Sequence, residues 1–226
     1  SVAVDSSSAT LTVPTTWNNA IPNATNGTAT VTLNTYYGDT LIGSNSYSFT
    51  VNVPSSAVPS LGNPSAAIYS SPISGIYIQG KSKVTITSGA ASGVYGSSIV
   101  SYVISGSNLY YSGANSSATS DFINDSGTRT YTVTVTDSRG RTASKTVSIY
   151  VYPYSPPSVS SYSAIRTNSS GTASETGTSI QVTCNCACSD LGPETGTKRN
   201  AVTWTWKYKI VSSSTWTDGY SGLAKS

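Results

Sequence analysis

Cys184, Cys186 and Cys188 stand two residues apart and are the densest cluster of reactive groups in this 226-residue chain. Thiolates at that spacing could bind a metal ion or form an oxidised pair. In an extended strand, however, residues two apart share a face. Ile180, Val182, Cys184, Cys186 and Cys188 then form one apolar stripe, opposite Gln181, Thr183, Asn185 and Ala187. Free cysteine packs as a small hydrophobe, so the three are expected to line the core face of a strand. A metal site would need a fourth ligand, and only Asp190 is close by in sequence. A disulfide between such near neighbours would be strained, and an odd number leaves one thiol unpaired. No metal and no cofactor is expected.

The other routes to catalysis are thin. There is no His, which removes the imidazole base, the Ser-His-Asp triad and the commonest metal ligand. Glu175 and Glu194 are the only glutamates, a poor basis for paired-carboxylate glycoside hydrolysis. Asp121, Asp125 and Asp137 match no EF-hand loop. The expectation is a protein that is not an enzyme. A net charge of +3 from twelve basic and nine acidic residues is too small and dispersed to grip phosphates, so no nucleic-acid partner is expected. No apolar run reaches the roughly 18 residues needed to span a bilayer, so no membrane insertion is expected.

Aromatic residues offer recognition rather than reaction. Trp204, Trp206, Tyr208 and Ile210 alternate with Thr203, Thr205, Lys207 and Lys209, and Trp216 follows a Ser-rich turn. Such rings can stack on sugars, but on a central strand they more often fill a sandwich core. Tyr150, Tyr152 and Tyr154 alternate with Val147, Ile149 and Val151 and point away from the core face those residues take. These tyrosines and Trp216 are the candidate receptor or domain-junction contacts. Arg139 and Arg141 fall at a hairpin tip, where basic residues are usually solvated.

The elements that position these residues are strands. Ser and Thr supply 45 and 32 residues, the charged fraction is 9%, and apolar positions alternate with hydroxyl residues. Strands are expected at Leu11 to Val13, Ala29 to Tyr37, Thr40 to Ile42 and Tyr47 to Val53. Others are expected at Tyr77-Ile78, Lys83 to Thr87, Ile99 to Ile104 and Asp121 to Asn124. A hairpin pairs Thr130 to Thr136 with Ala143 to Val151, and further strands cover Ile180 to Cys188, Ala201 to Val211 and Thr215 to Thr217. No long helix is expected. Proline clusters at Pro54, Pro59 and Pro64, and at Pro153, Pro156 and Pro157, end two alternating runs. Their spacing is the size of one immunoglobulin-like sandwich. The expected class is all-β, with tandem immunoglobulin-like or fibronectin III-like antiparallel β-sandwiches. The expected domains are a partial sandwich at 1–56, a complete one at 57–153, and a truncated fibronectin III-like one at 154–226, with both chain ends cutting through domains.

Several strings carry a resemblance. Val13 to Trp17 (VPTTW), Ile21 to Ala29 (IPNATNGTA), Phe49 to Pro59 (FTVNVPSSAVP), Gln79 to Val84 (QGKSKV) and Val135 to Ala143 (VTDSRGRTA), in this order, resemble minor structural proteins of long-tailed phages and prophages of Gram-positive hosts. Trp206 to Lys209 with Ser213 to Gly219 is similar to a fibronectin type III domain. The resemblance implies a virion protein of the tail or its fibres, extracellular, which supports host attachment. Its implied partners are other tail proteins, copies of itself, with a trimer the usual arrangement, and a host surface glycan or protein. It implies no catalytic residues. A bacterial adhesin stalk or a carbohydrate-binding module is the competing reading, since both share the sandwich fold.

Overall fold

The computed structural model describes residues 14–192, 203–209 and 212–223. The expected strand at Leu11 to Val13 lies outside them, as do Ala201, Val202, Ile210 and Val211. Among the described residues the fold is all-β, with strands joined by turns and one short 3-10 helix at Thr15–Ala20. No helix among them is long and apolar enough to cross a membrane. The chain divides into two compact units, one of Ser1–Ser70, Lys83–Phe122 and Thr128–Ile149, the other of Ser71–Ser82, Ile123–Gly127 and Tyr150–Ser226.

The first unit begins with a long hairpin, β1 (Asn26–Tyr37) and β2 (Thr40–Asn52). Two short strands, β3 (Ser60–Leu61) and β7 (Ala91–Ser92), pair antiparallel. Its β-sandwich has two antiparallel sheets. One contains β4 (Ser65–Ser70), β6 (Lys83–Thr87) and β10 (Ser117–Thr119), with β6 central. The other contains β8 (Ile99–Gly106), β9 (Leu109–Gly113), β11 (Gly127–Asp137) and β12 (Thr142–Tyr152), in the order β12-β11-β8-β9.

Period-two alternation builds the core. Val84 and Ile86 from one sheet, and Ile104, Tyr131, Val133 and Val135 from the other, are all 0% exposed. The threonines between the β11 apolar residues take the opposite face, where Thr130 and Thr134 share hydrogen bonds with Ser148 and Ser144 of β12 at 2.9 and 2.7 Å. Tyr131 is buried whole because Gly106 makes room for it. A Cβ at Gly106 would stand 2.3 Å from the Tyr131 ring, and the Tyr131 hydroxyl donates to the Ser107 carbonyl at 3.2 Å.

In the second unit, β5 (Tyr77–Ile78) pairs in parallel with Val151 and Tyr152. Ile76, Ile78 and Leu191 form a small core, against which Ile73, Tyr152 and Tyr154 pack. The Gln79-Gly80-Lys81-Ser82 turn closes it. Ser82 Oγ accepts from the Ile78 amide at 2.8 Å and donates to Ser71 Oγ at 2.9 Å, and Gln79 Nε2 donates to the Asn124 carbonyl at 2.8 Å. Two antiparallel pairs follow, β13 (Ser158–Thr167) with β14 (Ser179–Ala187), and β15 (Thr203–Tyr208) with β16 (Thr217–Leu223).

Three expectations are corrected here. Asp121 to Asn124 is not a strand; Ile123 is buried in a loop whose amide donates to the Ser82 carbonyl. Cys184 and Cys186 do share a face of β14, which ends at Ala187 before Cys188, but that face is not a core. Cys186 and Cys188 are exposed and Cys184 is half-buried, because among the described residues β14 pairs only with β13. The arginine-bearing turn after β11 is not a solvated tip, because Arg139 is buried and donates to backbone carbonyls of other segments.

Candidate functional site

β1 and β2 form a two-stranded ribbon with two chemically distinct faces. The turn needs Gly38, whose φ is +55. Thr30 lies opposite Ser48 and Thr32 opposite Ser46, and their hydroxyls hydrogen-bond at 3.1 and 2.8 Å. The other face sets Ala29 opposite Phe49, Val31 opposite Tyr47 and Leu33 opposite Asn45. Its large side chains are open to solvent: Val31 is 48% exposed, Leu33 70%, Tyr47 73% and Phe49 47%. Near the turn Tyr37, Leu41 and Ile42 are also exposed. From Asn26 to Asn52 the only charged residue is Asp39, and there is no proline.

The base of this ribbon is held by two arginines of the β11–β12 turn, within the same unit. Asp137 is fully buried, and its Oδ1 accepts from the Arg139 and Arg141 amides at 3.0 and 2.9 Å. With Gly140 at φ +77, this carboxylate turns the chain sharply and sends both guanidinium groups toward residues flanking the ribbon. Arg139, itself buried, donates from Nε to the Ile21 carbonyl at 2.9 Å, from Nη1 to the Val94 carbonyl at 2.6 Å, and from Nη2 to the Asn18 carbonyl at 3.1 Å and to the Tyr95 carbonyl. Tyr95 adopts φ +49, an uncommon conformation for a bulky side chain. Arg141 donates to the carbonyls of Val53 at 2.8 Å, of Ala57 at 2.9 Å and of Pro54.

One arginine thus fastens the chain entering β1 and the other the chain leaving β2. Ser138 Oγ adds a bond to the Pro22 carbonyl at 2.6 Å. A planar guanidinium with five donors suits this task, since it can satisfy several carbonyls at fixed angles.

The residues expected to make contacts fall in the second unit. Tyr150 is 53% exposed and packs edge-on against Tyr152, with ring centroids 5.1 Å apart. Tyr152 and Tyr154 are half-buried against Ile76, Ile78 and Leu191. Tyr154 donates its amide to Gln79 Oε1 at 3.2 Å, and Lys81 Nζ lies 5.6 Å from its ring. Trp216 is 57% exposed with Lys209 Nζ 5.1 Å from its ring, while Trp206 is half-buried beside Tyr208 and close above Gly219. The Trp204 side chain lies outside the described residues.

Cys184 and Cys186 bring their sulfurs to 3.4 Å. The hydrogen bond with Cys184 is the main cause that raises the Cys186 thiol above its ordinary pKa, because it holds the protonated form as donor. Among the described residues no group of three or more His, Cys, Asp or Glu is placed to hold a metal ion.

Reading the sequence missed the ribbon's uncovered face and the arginine anchor. The available signal was the 27-residue stretch from Asn26 to Asn52, where strand-length alternation runs with one charge and no proline. Nothing in the Asp137 to Arg141 string announces which backbone carbonyls it will meet.

Taken together, the buried sandwich and the anchored ribbon define an all-β protein. The chain belongs to the siphovirus protein family of unknown function DUF859, which it matches over residues 2–225. No curated protein matches it in sequence. Among solved structures it is similar to the fibronectin(III)-like modules of CbhA from Clostridium thermocellum, at 16% identity and a TM-score of 0.29, covering 58% of this chain and 80% of that one.

Proposed function

We propose that this protein is a structural component of the siphovirus tail or tail fibre, which works by shape and assembly rather than catalysis and supports attachment to the host cell. The observation that carries the reading is family membership across nearly the whole chain, joined to an all-β architecture whose exposed faces are rich in Ser and Thr. Such faces stay hydrated with few charges, so contacts between subunits would depend little on salt. Short strands closed by tight turns leave few segments for proteases outside the cell. On this reading its partners are other tail proteins and copies of itself, and its localisation is the virion. The host surface glycan or protein would meet exposed aromatic residues, of which Tyr150 and Trp216 are candidates.

An antibody raised against this chain tests the reading on intact particles by immunogold electron microscopy. Label confined to the tail or its tip supports it, and antibody fragments should then slow adsorption to host cells. Label on the capsid, or absence of the chain from purified particles, would overturn it.

A further inference from the structure

We infer that the β1–β2 ribbon is a self-association element, whose apolar face is covered by the same ribbon of other copies of this chain. The inference rests on the reading of the chain as a multi-copy virion component.

The first argument is the ribbon's own instability in isolation. A two-stranded hairpin is at best marginally stable in water, and needs a third strand or a packed face. Here Val31, Leu33, Tyr47 and Phe49 lie on one face and are each about half exposed or more, although the base is clamped by Arg139 and Arg141. The clamp holds the ribbon in place without covering it.

The second argument concerns the edges. Among the described residues β1 and β2 pair only with each other, so each presents an outer edge without a neighbouring strand. Monomeric proteins blunt such edges with lysine, proline or bulges facing solvent. This ribbon has no Lys, Arg or Pro from Asn26 to Asn52, and its one bulge, between Thr35 and Tyr36, sits beside the turn.

The third argument identifies the occupant. A partner recognised through charge would find only Asp39 to read, whereas an uncharged apolar face meets an identical copy without like-charge repulsion. A two-fold arrangement lets the same patch serve both sides of the contact. Area adds a constraint. A twelve-residue ribbon is about 40 Å long and roughly 10 Å wide, so two apposed faces bury on the order of 800 Å², below the roughly 1,200 Å² of a stable interface. The open edges, or a third copy, must supply the rest, so stoichiometry is part of the readout.

Sedimentation of the full chain over a concentration series is the test, with the Leu33→Lys/Tyr47→Lys double variant and a Thr32→Lys control on the hydroxyl face. The wild type should assemble, the double variant should dissociate with a Kd raised about 100-fold or more, and the control should stay within about threefold. Circular dichroism melting should leave all three folded, since these side chains are exposed. A wild type that remains monomeric at about 100 μM, or a double variant that assembles like the wild type, would overturn the inference. Neither result touches the virion assignment, which the particle labelling decides independently.

Discussion

Strands β1 and β11 are built to the same recipe and end in opposite environments. Both alternate threonine with apolar residues, and both tie their hydroxyl faces to the next strand through Thr–Ser hydrogen bonds, Thr30–Ser48 and Thr32–Ser46 in one, Thr130–Ser148 and Thr134–Ser144 in the other. Yet Tyr131, Val133 and Val135 are sealed from water while Val31 and Leu33 are 48% and 70% exposed. The difference is the second sheet, which among the described residues the first unit provides for β11 through β6 and its neighbours and does not provide for the ribbon. Alternation decides which side chains share a face. Whether anything covers that face is a property of the rest of the fold or of another molecule.

Truncation should separate the two regions most sharply. Tyr131→Ala is expected to cost about 3 to 5 kcal/mol in urea unfolding, because it empties a fully buried site and removes the hydroxyl's hydrogen bond to the Ser107 carbonyl. Tyr47→Ala in the dilute monomer should change stability by no more than about 0.5 kcal/mol. Equal costs would erase the distinction.

The anchor comes next in size. Arg139→Ala removes the donors from the carbonyls of Asn18, Ile21, Val94 and Tyr95 at once, and should cost about 3 kcal/mol. Arg139→Lys should recover only part of this, since a single ammonium cannot reproduce the guanidinium fork. Arg141→Ala, which removes a less deeply buried guanidinium, should cost about 1 to 2 kcal/mol. Amide exchange should accelerate near residues 18 to 25 in the Arg139 variant and near residues 53 to 58 in the Arg141 variant, and unchanged exchange at both would show that the anchor is dispensable.

The smallest effect concerns β14, another uncovered strand. Cys186 should be alkylated in the native protein, because it is exposed. Its reaction should reach half its maximal rate at a pH above that of an ordinary thiol, because its pKa is raised and the thiolate is the nucleophile. Cys184→Ala removes the hydrogen bond behind that shift and should speed labelling near neutral pH. Labelling only after unfolding would restore the core reading of this strand.

Much of the sandwich was legible from pattern alone. Tyr77-Ile78 and Lys83 to Thr87 match β5 and β6, and the hairpin at 130–136 and 143–151 lies inside β11 and β12. The misses have physical causes. β4, β9 and β10 are short or rich in Ser, Gly and Ala, so their alternation is too weak to stand out, and Asp121 to Asn124 places one buried Ile in a loop. Phe49, Val51 and the residues near them lie on β2 as their alternation implies, and that alternation is silent about cover. Arg139 illustrates the deeper limit. Its acceptors are backbone carbonyls, which every residue carries, so no side-chain pattern marks the segment it will bind. The same holds for β14, where Cys184 and Cys186 share a face, Cys188 lies beyond the strand's end, and the partner sheet is missing among the described residues.

Hydrogen exchange of the full chain, measured in dilute and in concentrated solution, tests the contrast between the two regions most directly. Amides of β11 should be strongly protected at both concentrations, while those on the outer edges of β1 and β2 should exchange fast when dilute and gain protection when concentrated. Protection of the ribbon that is high and the same at both concentrations would mean that the ribbon is covered within a single chain, and would contradict the account.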